Sequence, residues 1–381
     1  MFITKFSLTY ANPNTTVSEI CFNKLNVLVG VSGAGKTTIM NALFSVIQIA
    51  QGKSYPLESW EMTFVDNKNR KVNWQGRFTT AVEQNKEEET TTELLEEKLI
   101  IAGDVIFDKA NGKTTYKGNV LPVLEKYTSN IYLLREDETI KSIYDSLESI
   151  IIVYNNSHSH TESINASIIN ETHWDKAKTF FSHNKKSSIN ELHRSLPAIN
   201  STEKLFFASQ FDLASFDNFN FIYTSIFDNV KSITPQIMPI YPEKGTASKR
   251  KALHFTLALK DGSVIEQFDI SSGMYKTMML LAELLLSSDN TVLLIDEIEN
   301  SLGINCLPDI IQEIKSAPFQ CIISTHHPKI INDIPAKSWK IVNRKGAVIH
   351  ADDATDIANS SSHHDPFIQL LNNTIYQNGN A

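Results

Sequence analysis

Cysteine is scarce: the 381-residue chain carries three, Cys21, Cys306 and Cys321. They are isolated, odd in number and flanked by apolar residues, which excludes a disulfide framework or a paired-cysteine zinc site and assigns all three to the core as reduced thiols. Long apolar runs are missing too. None approaches the ~18 residues needed to cross a bilayer, and the opening "MFITKFSLTYANPN" has neither the basic start nor the apolar centre of a leader peptide. The expectation is a soluble, cytoplasmic protein with no membrane partner. An excess of positive charge is absent as well: at a formal net charge of −8 nucleic acid would have to be met through a local patch, for which "EKGTASKRK" (Lys244 to Lys251) is the candidate. Sustained heptads are lacking, which excludes a long coiled-coil arm.

What is present is an ordinary hydrophobic fraction, 41%, enough for one large domain or two lobes. Strand-like runs open the chain, and "LNVLV" leads through a glycine-rich turn into the helical "TTIMNALFSVIQIA". From Trp60 to about Val120 alternating residues and turn signals predict an antiparallel meander, with "EMTFVDNKNRKVNW" as one hairpin and "GDVIFDKANGKTTYKG" as another, tipped by Asn111-Gly112. The acidic run "EQNKEEETTTELLEEK" between them reads as a solvated face or loop. Residues from about 121 to 240 read as mainly helical, including "IKSIYDSLESIIIVY" and "TEKLFFASQFDL". Hairpins are predicted again at "LHFTLALKDGSVIEQFDI" and "WKIVNRKGAVIH". The boundaries that follow are 1–128 for a first lobe with the meander, 129–250 for a mainly helical insert, and 251–381 for the remainder, completing the first lobe. His158 and His160 have no carboxylate or cysteine at ligand spacing, and His363, His364 and Asp365 fall in a polar stretch expected to face solvent.

Three motifs carry chemistry. "GVSGAGKT" follows a strand and opens a helix, the context in which G-x-x-x-x-G-K-[ST] binds phosphate. Its glycines let successive N–H groups turn toward phosphate oxygens without a Cβ clash, and the helix N-terminus adds partial positive charge. The candidate nucleotide-binding positions are Gly30, Ser32, Gly33, Ala34, Gly35, Lys36, Thr37 and Thr38, with the Lys36 ammonium on the β- and γ-oxygens and the Thr37 hydroxyl on Mg2+. "TVLLIDEIEN" is a buried-type strand that carries Asp296 and Glu297 to its C-terminal end. There Asp296 is expected to hold Mg2+ through water and Glu297 to orient or deprotonate the attacking water. "IISTHHP" ends a second such strand in His326, which can hydrogen-bond a γ-phosphate oxygen.

Together these residues resemble the ABC-type ATPase superfamily: a Walker A loop at Gly30 to Thr37, a Walker B strand with Asp296 and Glu297, a D-loop-like Glu299-Asn300-Ser301-Leu302, and a switch histidine at His326. "ISSGM" is similar to the superfamily signature, Ser271 matching its serine and Gly273 its second glycine, while Ser272 replaces the first glycine and Met274 the common glutamine. Gly303-Ile304 also departs from the His-Pro frequent after the D-loop, and Gln75 is one candidate for the Q-loop. Within the superfamily the motifs look most like the soluble RecF/OLD/SMC-related ATPases of bacterial phage-defence systems of Septu, retron and PARIS type. The residues after His326 are too few for the Toprim nuclease of OLD enzymes.

The resemblance implies an α/β P-loop ABC-type head with an antiparallel meander and a helical insert. It also implies ATP and Mg2+ as cofactors, and a homodimer or higher oligomer in which Ser271, Ser272 and Gly273 cap the ATP of the other copy. The implied activity is ATP hydrolysis that regulates a separate effector, a nuclease or toxin encoded nearby. The alternative is a RecF-like, ATP-dependent DNA clamp; a small-molecule kinase would leave the signature serine and switch histidine without a role.

Overall fold

The computed structural model describes residues 1–11, 14–55, 57–79, 92–122, 124–153, 167–184, 186–240, 250–300, 302–303, 305–354 and 366–377. His158, His160, Lys244 to Lys249, Ser301, Ile304, His363 to Asp365 and most of the acidic run lie outside the described residues. The chain folds as two compact units, one comprising Met1–Ile152, Asn290–Glu297 and Phe319–Ala381, the other Val153–Asp289 and Ile298–Pro318.

The first unit is built on one mixed sheet. Its strands in chain order are β1 (Phe2–Tyr10), β2 (Thr15–Cys21), β3 (Leu25–Val29), β4 (Leu57–Val65), β5 (Lys71–Phe78), β6 (Leu94–Ile101), β7 (Asp104–Ala110), β8 (Lys113–Tyr116), β9 (Asn119–Val120) and β10 (Ile150–Val153). The second unit then contributes β11 (Ser167–Ile168), β12 (Val230–Ile240), β13 (Arg250–Leu259) and β14 (Val264–Glu266). The first unit resumes with β15 (Val292–Ile295), β16 (Gln320–Ser324), β17 (Trp339–Lys345) and β18 (Val348–Asp353).

The sheet order is β10-β15-β16-β3-β17-β18-β2-β1-β4-β5-β6-β7-β8-β9. β15, β16, β3 and β17 run parallel. Their side chains are buried almost throughout, as in Val-Leu-Leu-Ile of β15, because such strands are covered on both faces. Helix Lys36–Ala50 lays Ile39, Met40, Leu43, Val46 and Ile47 into this core at helical spacing.

From β1 to β9 the strands are antiparallel, giving the predicted meander. The expected tip at Asn111-Gly112 has positive φ at both residues, 52° and 70°, as a two-residue hairpin turn requires. On the inner face Gly76 lies opposite Trp60. A Cβ there would come within 2.1 Å of the indole, so only glycine admits the Trp60 ring, which meets Trp74 edge-on at 5.3 Å.

The second unit joins helices Glu171–His183, Ile189–Ser195, Ser201–Phe211, Leu213–Ile226, Ser272–Leu286 and Leu307–Ser316 to a small sheet, in which β13 pairs with β11, β12 and β14. Asn170, Ser188, Asn200 and Asp212 cap their helices through side-chain oxygens, two of them in full capping boxes with Glu191 and Glu203.

Three readings of the sequence change. Residues 230–240, at the end of the stretch read as mainly helical, form β12. Cys21 is exposed, since it follows buried Ile20 at the end of alternating β2 and points to the other face; Cys306 and Cys321 are buried as expected. Within "IKSIYDSLESIIIVY" the helix stops at Glu148, and the β-branched Ile150, Ile151 and Ile152 continue as β10 beside β15.

Candidate functional site

The parallel strands β15, β16 and β3 of the first unit end level with one another. Ile295 pairs with Ile323, Ser324 with Leu28, and Ile341 with Val29, so Asp296, Thr325 and Gly30 leave the sheet at one rim, while β17 continues past it to Lys345. Ligands of parallel sheets bind beyond such C-terminal strand ends. A cavity of about 440 Å³ opens there, lined by Gly30, Val31, Ser32, Gly33, Gly35, Lys36, Thr37, Thr38, Glu297, His326, Arg344 and Tyr376.

The loop from Gly30 to Gly35 takes its shape from two glycines that nothing else can replace. A Cβ on Gly30 would lie 2.6 Å from the Val342 carbonyl oxygen of neighbouring β17. Gly35 is the N-cap of helix Lys36–Ala50 at φ 106°, with no side-chain cap, and a Cβ would reach 2.7 Å from Ile349 Cδ1. Ala34 is fully buried and its N–H closes a turn onto the Val31 carbonyl at 3.2 Å. Lys36 is nearly buried, and its Nζ donates to the Gly30 carbonyl at 2.7 Å and to that of Val31 at 3.2 Å. The ammonium therefore sits inside the loop that its own helix closes.

Opposite the loop stands a connected acidic and hydroxyl group. Ser324 Oγ donates to Asp296 Oδ1 at 2.5 Å, Thr37 Oγ1 donates to the same oxygen at 3.5 Å, and the Glu297 N–H donates to Ser324 Oγ at 2.8 Å. Asp296 is buried while Thr37 is exposed to the cavity, so one carboxylate oxygen is fixed from two strands and a helix. Glu297 holds a left-handed conformation, φ 46°, rare for a residue with a long side chain, and one that aims it at the cavity as the chain turns away from β15. The Thr325 N–H donates to the Leu28 carbonyl at 3.2 Å, which seats the end of β16 against β3 and presents His326 at the rim. Thus Gly30, Ser32, Gly33, Gly35, Lys36, Thr37, Thr38, Glu297 and His326 line one cavity, and Asp296 is bonded to its wall.

Ser271, Ser272 and Gly273 belong to the second unit. Ser271 is the N-cap of helix Ser272–Leu286, its Oγ accepting from the Met274 N–H at 3.3 Å, and both serines are exposed. The far end of that helix is anchored by a buried ion pair: Lys204 Nζ reaches Glu283 Oε2 at 2.5 Å and Ser287 Oγ at 2.8 Å, with Ser201 Oγ donating to Glu283 Oε1 at 2.5 Å. Near its start the Tyr223 hydroxyl donates to the Met274 carbonyl at 3.2 Å, and burial pushes that phenol above its usual range. Lys276 Nζ donates to the carbonyl of Asn300, tying the helix to the D-loop-like segment. Leu302 of that segment is buried.

Gln75 stands apart: it is exposed on β5 and lines a separate concavity over the meander. Two residues of the phosphate-loop cavity have no sequence motif, Arg344 on β17 and Tyr376 in helix Thr374–Gln377. Among the described residues no cluster of three metal-ligating side chains occurs, and no helix is long and apolar enough to cross a membrane.

Comparison with solved structures finds SMC heads. A structure of the SmcHead bound to the C-winged helix domain of ScpA shares 13% identity over 92% of this chain and 97% of its own, with a TM-score of 0.51. An Smc head domain with an extended coiled coil, bound to the C-terminal domain of ScpA and derived from Pyrococcus furiosus, shares 13% identity over 92% and 95%, with a TM-score of 0.46. At this identity the first likeness is one of fold alone, that of an SMC head. No curated protein matches the chain. The family model described as "AAA domain, putative AbiEii toxin, Type IV TA system" matches residues 25–332, which span both units and every motif above, and the chain belongs to that family.

Proposed function

We propose that the chain binds Mg2+-ATP in the cavity of its first unit and hydrolyses it within a head-to-tail dimer, in which Ser271, Ser272 and Gly273 of each copy cap the γ-phosphate held by the other. The observation that carries this reading is the convergence of Gly30 to Gly33, Gly35 to Thr38, Glu297 and His326 on one cavity of nucleotide size, with Asp296 bonded to its wall through Thr37.

The residues fit both ligands. Asp296 Oδ1 and Thr37 Oγ1 are 3.5 Å apart, a carboxylate and a hydroxyl oxygen of the hard-donor kind that Mg2+ takes, so that Thr37 would hold the ion directly and Asp296 through water. The chemistry Mg2+ would supply there is neutralisation of phosphate charge. Lys36 exchanges its carbonyl partners for phosphate oxygens, and the bare N-terminus of helix Lys36–Ala50 faces the same anion. Glu297 orients a water for in-line attack and takes its proton as the bond from the γ-phosphorus to the bridging oxygen breaks. His326 donates to a γ-oxygen and reports whether that group is present.

The dimer rests on Ser271: a serine-capped N-terminus exposed on the second unit is suited to an anion brought by another molecule. ATP-driven closure then switches a separate effector, a nuclease or toxin, in defence against phage. The description of the family, "putative AbiEii toxin, Type IV TA system", supports a role linked to such a system. A RecF-like clamp that closes on duplex DNA keeps the same site and dimer, with exposed Lys251 near the start of β13 as the described part of its basic patch. ATP-dependent, salt-sensitive DNA binding would favour the clamp, and co-purification with the product of a neighbouring gene would favour the effector.

The reading is tested by substitution. Lys36→Ala is expected to weaken ATP binding about a hundred-fold or more, through loss of a charge-assisted contact. Glu297→Gln is expected to keep binding and stop turnover; wild-type hydrolysis by that variant would remove Glu297 from its role.

A further inference from the structure

The motifs account for the phosphate end of the cavity and leave its other end unassigned. β15 and β16, which carry Glu297 and His326, lie on one side of β3, and β17, which carries Arg344, lies on the other. A triphosphate with its terminal group at Glu297 and His326 and its chain along the loop from Lys36 therefore extends its nucleoside toward β17. There the wall is Arg344 and Tyr376.

Tyr376 is held in place. Its own N–H donates to Asn373 Oδ1 at 3.3 Å, the following Gln377 Nε2 donates to the Leu371 carbonyl at 2.9 Å, and burial pushes its phenol upward. The preceding turn is anchored by fully buried Leu370 and by the Phe367 N–H, which donates to Asn332 Oδ1 at 2.9 Å. Asn332 belongs to helix Pro328–Asp333, which starts two residues after His326. Arg344 is steadied by its Nε–H donating to the Gly346 carbonyl at 3.0 Å. A half-buried aromatic ring and a guanidinium that line the same cavity as the phosphate loop supply the chemistry of a purine and its sugar: every base has a face that stacks on an aromatic ring, and guanidinium N–H groups donate to sugar and phosphate oxygens.

We propose that Tyr376 and Arg344 form the nucleoside end of the site, the Tyr376 ring stacking on the base and Arg344 donating to ribose and α-phosphate oxygens. This rests on the nucleotide reading of the loop, and it makes residues 366–377 a strap that one ligand pins at the same time as it engages His326.

The test is calorimetric titration of the full chain with ATP and, separately, with inorganic triphosphate, which has the phosphates and no nucleoside. The expected result is that Tyr376→Ala weakens ATP about ten- to hundred-fold and leaves inorganic triphosphate unchanged, while Tyr376→Phe, which keeps the ring, binds ATP as the wild type does. Arg344→Ala should weaken ATP about ten-fold and inorganic triphosphate less, because the two ligands share the α-phosphate contact and only ATP has the ribose. If the wild type binds ATP and Tyr376→Ala binds it equally well, or loses both ligands in parallel, the nucleoside assignment is wrong. If the wild type binds neither ligand, the nucleotide reading itself falls and this inference with it.

Discussion

The two units present helix N-termini of the same length and opposite design. Helix Lys36–Ala50 and helix Ser272–Leu286 each have 15 residues. The first begins at a left-handed glycine with no side-chain cap and opens onto a cavity; the second begins at a serine that caps its own first turn and is exposed. An uncapped N-terminus leaves its N–H groups and partial charge to a resident anion, whereas a capped one holds its shape before any ligand arrives. The contrast extends to the buried lysines. Lys36 bonds to main-chain carbonyls on a cavity wall, and Lys204 is closed in a pair with Glu283 away from solvent. A lysine bonded to main-chain carbonyls beside open volume can turn to phosphate; one locked to a carboxylate in the core serves the architecture.

Breaking the core pair should give the largest effect. Lys204→Met leaves the Glu283 carboxylate buried without its counter-ion, and about 3–5 kcal/mol of stability should be lost from the second unit in urea unfolding, most of it regained in Lys204→Met/Glu283→Leu. Lys36→Ala, by contrast, should change unfolding by about 1 kcal/mol or less while removing ATP binding. Next comes the glycine cap. Gly35→Ala forces φ 106° on a residue with a Cβ and crowds Ile349, so about 1–3 kcal/mol should be lost together with the phosphate site.

A pH effect belongs to the second unit. His193 is fully buried, its Nδ1 accepts from the Ser288 N–H at 2.9 Å, and burial first, then the charge of Lys204, lowers its pKa from 6.5 to about 2. Because the folded value lies below the unfolded one, the unfolded chain takes up a proton that the folded chain refuses. Stability from this residue is complete above pH 6.5 and falls by roughly 1.4 kcal/mol per pH unit below it, toward about pH 2. His193→Gln should flatten that slope in denaturation curves measured at several pH values. The smallest effect is at the serine cap: Ser271→Ala should cost about 1 kcal/mol of stability and leave ATP binding by the single chain intact.

Where chemistry demands a fixed local spacing, the sequence was legible. Gly30 to Thr37, Asp296-Glu297 and His326 each follow a buried strand, and the structure brings them to one rim because parallel strands end in register. The hairpins at Asn111-Gly112 and Asp261-Gly262 were legible for a similar reason, since turn residues act locally. β12 was not: Pro235 and Pro239 argue against a strand, and they are accommodated because β12 pairs with β13 alone, so proline nitrogens of the same parity can face the open edge. Arg344 and Tyr376 were not legible either. They reach the cavity through strand order and the packing of residues 366–377, which no local pattern encodes.

The central claim, that the capped N-terminus at Ser271 serves the ATP of a second copy, is tested most directly by the solution mass of two variants in saturating Mg2+-ATP. Glu297→Gln should run as a dimer, and Glu297→Gln/Ser271→Arg as a monomer that still binds ATP. Equal masses for the two, or loss of ATP binding by the double variant, would contradict it and leave Ser271 as a structural cap.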